Sequence, residues 1–175
     1  MKRECKSMNK RLIYHGSYIK IEHPLVNVGR QDLDFGRGFY TTDLREQAVK
    51  WARIIQQRRN TSTSPILNTY KIDMDVVEEK GFKQLYFEKY DLDWLEFIVK
   101  NRRGENLWTA FDIIEGGIAN DSVIDTVDAY MSGLIDGSTA LGKLMYNKPN
   151  NQICILNQKI IDKCVRFVGA ETINI

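Results

Sequence analysis

Apolar residues fall along this chain in short, nearly continuous runs and in longer stretches at helical spacing, and the two kinds follow one another without regular alternation. Residues 11–17 (Arg11-Leu12-Ile13-Tyr14-His15-Gly16-Ser17) read as a short strand ending in a turn. Residues 18–34 carry no periodicity and are punctuated by Pro24 and Gly29, which predicts an irregular connection. Asp34-Phe35-Gly36-Arg37-Gly38-Phe39-Tyr40-Thr41-Thr42 then describes a tight loop running into a short strand. Asp43 and Glu46 form an Asp-x-x-Glu capping box. Behind them Leu44, Ala48, Trp51, Ala52 and Ile55 recur on one face, predicting a helix over 44–59.

Beyond a linker-like loop, Asn60-Thr61-Ser62-Thr63-Ser64-Pro65, strands are expected over 66–74 and 82–87. A helix over 91–103 follows from the i, i+4 pairs Trp94/Ile98 and Leu95/Val99. Residues 110–114 read as a strand closed by Gly116-Gly117. Asn120 or Asp121 then caps a helix carrying Ile124, Val127 and Met131. Ser138 starts a shorter helix, through Leu141, Leu144 and Met145, that must stop before Pro149. Residues 152–156 and 166–175 supply two last strands. The division is a polar lead-in over 1–10 and one domain over 11–175. Mixed elements without βαβ alternation predict an α+β fold rather than a doubly wound sheet.

Composition narrows the classes. A length of 175 residues is enough to bury a core, and 43% hydrophobic with 27% charged residues is globular. A net charge of +2 announces no nucleic-acid binder, and the pairs Lys2-Arg3, Arg58-Arg59 and Arg102-Arg103 read first as solvated ends. Cys5, Cys154 and Cys164 are scattered, which argues against a disulfide framework or zinc site and for a reducing compartment; Cys154 and Cys164 lie in apolar surroundings and read as core. The charged residues 1–11 are not followed by a signal-peptide-like run, and no stretch approaches a membrane span. The expectation is a cytoplasmic protein with no metal and no membrane partner.

The chemistry centres on residues 34–51. Gly36 and Gly38 present no Cβ, so a backbone there can come close to a ligand. Tyr40 at the strand end and Trp51 on the helix make two aromatic walls, a slot for a flat polar ring. A sharp β–α turn with ordinary core aromatics is the plainer account of the same residues. Arg30 and Arg37 sit in the loop before Tyr40, and guanidinium matches phosphate geometry.

Tyr14-His15-Gly16-Ser17, followed by Gly36-Arg37-Gly38-Phe39-Tyr40-Thr41-Thr42, resembles the first two signature motifs of the diphtheria-toxin-like and poly(ADP-ribose)-polymerase-like ADP-ribosyltransferases. In those proteins a second aromatic lies eleven residues beyond the motif tyrosine, and here that position is Trp51. In overall layout the chain resembles a bacterial family of unknown function within that superfamily, over most of its length. The resemblance implies a split, mixed β core, NAD as substrate, and a nicotinamide cleft between residues 14–17 and 39–51, with Phe39 and Thr41 beside the dinucleotide. It implies that His15 holds a ribose hydroxyl through a ring N–H, and that Gly16 offers its N–H and C=O to the nicotinamide carboxamide. Ser17 would assist with the adenosine half, and Tyr40 and Trp51 would sandwich the nicotinamide ring. It also implies an acceptor, protein or nucleic acid, and raises a toxin role with a small neighbouring antitoxin.

The third motif departs from the pattern. Where the superfamily carries a glutamate at the start of a late strand, chain order places Gln152. Glutamine accepts the same hydrogen bond without the charge, and losing one preorganised electrostatic partner costs on the order of 3 kcal/mol, about a hundredfold in rate. The expected activity is mono-ADP-ribosyl transfer with His15, Tyr40 and Gln152 as the catalytic set. A non-catalytic NAD- or ADP-ribose-binding or protein-interaction module and an NAD glycohydrolase are the alternatives. Asp34, Glu105, Glu115 and Asp121 are the candidate substitute carboxylates, and Asn120 and Asp121 are candidates for the pocket rim.

Overall fold

The structure is a computed structural model describing residues 9–31, 33–59, 62–118, 121–145 and 150–174, and only the backbone of Asp121 and Ser122. The lead-in before residue 9, Cys5, Asn60, Thr61, Asn120, Pro149 and the side chain of Asp121 lie outside the described residues. In chain order the elements are β1 (Lys10–Ser17), β2 (Phe39–Thr41), α1 (Arg45–Arg59), β3 (Ile66–Asp73), α2 (Met74–Glu79), β4 (Gln84–Tyr86) and α3 (Leu92–Arg102). A single 3-10 turn, Leu107–Ala110, precedes β5 (Ile113–Gly116), α4 (Asp121–Met131), α5 (Gly137–Leu144), β6 (Gln152–Ile155), α6 (Gln158–Cys164) and β7 (Val165–Thr172). The fold is α+β, as the unpatterned order of elements predicted.

The strands form two sheets, β1-β3-β7 and β2-β6-β5-β4, antiparallel throughout except for the β4–β5 pair. Three apolar clusters set the layers. Ile13, Tyr70 and Ile72 of the first sheet meet Phe39, Ile113, Ile153 and Ile155 of the second. The outer face of the first sheet is covered by Ala48 and Val49 of α1, packed with Leu67 and Ile173. The outer face of the second takes α3, α4 and α5, whose Trp94, Leu95, Ile98, Val127, Ala140 and Leu144 pack with Ile114 and Cys154. Each large side chain so buried contributes about 1.5–3 kcal/mol.

Side-chain caps explain where most helices begin. Asp73 accepts from the Val76 N–H at 3.3 Å, Asp91 from Trp94 at 2.9 Å, Asp136 from Thr139 at 2.7 Å and Asn157 from Lys159 at 3.0 Å. Asp73 and Asn157 open α2 and α6, two helices too short for their periodicity to register in the sequence. The capping box expected at α1 does not form. Thr42 Oγ1 takes the Leu44 N–H at 3.0 Å, while the Asp43 carboxylate is bound by Arg11 and Asn151.

The strand expected over 110–114 lies later, because Gly116 pairs with Gln152 instead of ending the strand. Gly116 is glycine because Phe87 packs where a Cβ would stand, 2.9 Å away. On α1 the buried residues are Ala48, Val49 and Ala52, whereas Leu44 and Trp51 are exposed. Cys154 and Cys164 are buried, as expected. Among the described residues no helix is long and apolar enough to cross a membrane.

A cleft where the two sheets part

Among the described residues the two sheets share one backbone bridge. Tyr14 N–H donates to Thr42 C=O at 2.7 Å, and Thr42 N–H returns to Tyr14 C=O at 3.0 Å. Continued antiparallel, this register would next pair Gly16 with Tyr40. It does not continue. The Tyr40 carbonyl accepts instead from His15 Nδ1 at 2.7 Å, and the strands diverge.

Backbone groups on a strand point alternately to its two edges, so Gly16 turns its N–H and C=O the same way as Tyr14, away from β3. Neither is taken by β2. A donor and an acceptor on one residue therefore face the gap between the sheets. Residue 16 must be glycine for a different reason, since a Cβ would stand 2.1 Å from Ala48 O and 2.6 Å from Ala52 N on α1.

His15 has one available tautomer. A carbonyl only accepts, so Nδ1 carries the proton toward Tyr40 and the neutral ring leaves Nε2 as an acceptor. Burial pulls the His15 pKa below its usual value, the bond to Tyr40 opposing it in part, so the neutral ring is the resting form. The expected role is corrected here: the ring N–H is spent on the protein, and the free nitrogen can only receive a hydroxyl proton. Phe39 packs on the imidazole with centroids 4.8 Å apart and on Tyr70 at 5.5 Å. It sits behind His15 as a support.

Parity along the strands puts Gly16, Tyr40 and Gln152 on the outer side of the bent β surface, the side bearing α1 and α3–α5. Tyr40 pairs with Cys154, two residues beyond Gln152, so the two side chains are diagonal neighbours on one face. The Tyr40 hydroxyl is saturated, donating to Gly36 C=O at 2.7 Å and accepting from the Phe35 N–H at 3.2 Å. Burial also pushes its pKa well above the usual phenol range. Tyr40 can serve as a wall through its ring and not as an acid or base. Trp51, 46% exposed, adjoins Ala52, whose backbone meets Gly16. No ring contact joins it to Tyr40 among the described residues, and Arg58 lies over its ring at 5.7 Å.

Gln152 is buried at the start of β6, as chain order placed it. Its Nε2 makes one long bond, 3.5 Å, to Gly117 C=O, which also accepts from Trp94 Nε1 at 3.1 Å. Among the described residues no donor meets its Oε1, which leaves that oxygen open.

The remaining expected residues divide. Arg37 carries a buried Nε with no partner among the described residues, the kind of orphan an anion would satisfy. Arg30 is exposed beside Gly29, which packs near Gly38 O, so both arginines border one loop crossing. Ser17 accepts from the Ile19 N–H at 3.4 Å and keeps its O–H to donate. The hydroxyl of Thr41 is spent inside the sheet on Ile153 C=O at 3.1 Å, so Thr41 joins β2 to β6 instead of facing a ligand. Gly36 and Gly38 answer to packing too: Gly36 has φ +79° and lies against Trp108, and Gly38 lies against Cys154 Sγ and Ile155 O. No ligand is needed to explain them.

Two of the substitute carboxylates are committed elsewhere. Asp34 is held by Arg102 at 2.8 and 3.0 Å, and Glu115 by both terminal nitrogens of Arg11 at 2.7 and 2.8 Å. Glu105 is exposed in the turn after α3. Concavities of about 410 and 390 Å3 flank α3, and neither is lined by His15, Tyr40, Trp51 or Gln152. Arg11, Gln47 and Asn151 form the polar set that sequence reasoning missed, because their partners lie 104 residues away or belong to another element.

An α+β domain parted at one strand edge, with unspent backbone and side-chain groups along the parting, is thus the class that fold and site define. The chain belongs to the family described as protein of unknown function (DUF3990), whose model matches residues 12–167. No curated protein matches it, and no solved structure does.

Proposed function

We propose that the chain binds NAD where β1 and β2 part and transfers its ADP-ribose, one group at a time, to a macromolecular acceptor with release of nicotinamide. The observation that carries this reading is Gly16, whose N–H and C=O face the gap as an adjacent donor and acceptor. A carboxamide needs that pair. The ring between Tyr40 and Trp51 would be held by offset stacking, and His15 Nε2 and Gln152 Oε1 would accept ribose hydroxyls. Arg37 and Arg30 would face the pyrophosphate. Strain on the glycosidic bond then favours its cleavage: the electron pair leaves with the nicotinamide nitrogen, quenching its ring charge, and the acceptor nucleophile adds to C1′ and releases its proton.

One observation favours a second reading. Gln152 is uncharged, and of the candidate carboxylates Asp34 and Glu115 are paired with arginines, so the developing positive charge would meet acceptors without a free carboxylate from either. A binding module on the same cleft would look the same. Purified protein incubated with NAD, with free nicotinamide followed over hours beside folded Tyr40→Ala and Gln152→Ala variants, separates the two. Transfer predicts release that both variants lose. NAD bound without release, and displaced by Tyr40→Ala, selects the binding module; free ADP-ribose as the only second product selects a glycohydrolase. If NAD neither binds nor reacts, the proposal fails.

A further inference from the structure

Among the described residues the Gln152 side chain makes one long bond, whereas the residue before it is held by four. From α1, Gln47 Nε2 donates to Asn151 C=O at 2.6 Å and Gln47 Oε1 accepts the Asn151 N–H at 3.2 Å. A side-chain amide thereby stands in for a neighbouring strand just where β6 begins. Asn151 Nδ2 donates to Asp43 Oδ1 and to Glu115 Oε1, both at 2.9 Å. Arg11 of β1 closes the set, holding both oxygens of Glu115 at 2.7 and 2.8 Å and Asp43 at 2.9 Å.

We infer that Gln47, acting through Asn151 and backed by Arg11 and Glu115, is the positioning residue that sets where Gln152 stands relative to the Trp51 wall. This rests on the NAD reading of Gln152. Two features separate it from ordinary packing. Glu115 pairs with Ile153 and belongs to the inner face of the sheet, whereas Gln152 belongs to the outer face, so Glu115 and Arg11 act on the Gln152 side chain through Asn151 and the paired β5–β6 main chain, with no hydrogen bond to it among the described residues. Gln47 also lies one helical turn before Trp51, so a single clamp fixes both the aromatic wall on α1 and the acceptor on β6. These groups reach across both sheets at the end where the sheets are joined. The far end, at Gly16 and Tyr40, is left open.

The test compares the full chain with Gln47→Met, which keeps the bulk and deletes both bonds to Asn151. Arg11→Lys, which keeps the charge and loses the fork, serves should the first variant not fold. Two readouts are taken on folded protein: the Gln152 side-chain amide and Trp94 indole N–H resonances, and the kcat and KM for nicotinamide release from NAD. Displacing Gln152 without touching the ligand is expected to lower kcat about tenfold and leave KM within about twofold, with both resonances shifted and the amides of β7 unmoved. Unchanged kcat together with unmoved resonances overturns the inference. A wild type that releases no nicotinamide defeats the transferase reading instead, and the resonances alone then decide: shifted, Gln47 places residue 152; unmoved, it does not.

Discussion

The two sides of the Tyr14–Thr42 bridge differ in how completely their polar groups are used. On the closed side Arg11, Asp43, Glu115, Asn151 and Gln47 bind one another so that each is accounted for within the protein. On the open side the Gly16 backbone pair, His15 Nε2, Gln152 Oε1 and the buried Nε of Arg37 have no partner among the described residues. Folding favours satisfied polar groups, because an unmade buried hydrogen bond costs about 1–3 kcal/mol. Among the described side chains the buried Arg37 Nε bears that cost on the open side, while the polar groups of the closed side are paired. The network holds the frame, and the gap presents the chemistry.

The comparison can be broken most severely at Gly16, which carries the open backbone pair and packs directly on α1. Gly16→Ala places a methyl 2.1 Å from Ala48 O and must move α1. The expected loss is about 3 kcal/mol, or roughly 10 °C in the thermal unfolding midpoint for a chain of this size. Next comes the closed side. Arg11→Met strands Glu115, whose side chain is only 14% exposed, against Asn151 alone. About 2 kcal/mol should disappear from a denaturant midpoint, with the chain still folded.

His15 sharpens the comparison through pH. Its folded pKa lies below the usual 6.5, so at neutral pH both folded and unfolded rings are uncharged and its contribution is intact. As pH falls below 6.5 the unfolded ring takes a proton first, and stability drops until the lowered folded pKa is passed. Unfolding midpoints at pH 7.5 and 5 should show this slope in the wild type and a shallower one in His15→Asn; equal slopes would count against the neutral ring. The smallest effect is expected at Gly133, which has open space around it but φ +75°. Gly133→Ala should cost about 1 kcal/mol of backbone strain, leaving ligand binding unaltered in calorimetry.

What was legible in the sequence was local. His15, Gly16, Tyr40 and Trp51 fall within 37 residues of one another, and strand edge, loop and helix carry their spacing directly into space. Gln152 was placed correctly because a late strand start is fixed by the apolar run behind it. The clamp on Asn151 was not legible, since it joins α1 to β6 across 104 residues and uses residue types that are ordinary on any surface. Helical spacing put Trp51 among buried residues, but α1 needs only Ala48, Val49 and Ala52 to lie close on Gly16, and the bulky ring is left outside. The glycines of the central loop misled for a related reason. A missing Cβ says that something comes close, and here that something is Trp108, Cys154 or Ile155 of the same chain.

The most direct measurement of the central claim is a titration of 15N-labelled protein with NAD, following the Gly16 amide and the Arg37 Nε–H. If the open side is the binding site, both resonances move saturably and together, while the amide of Gly133, in the turn after α4, stays in place. Movement confined to residues elsewhere, such as those lining the concavities along α3, or none at millimolar NAD, would contradict it.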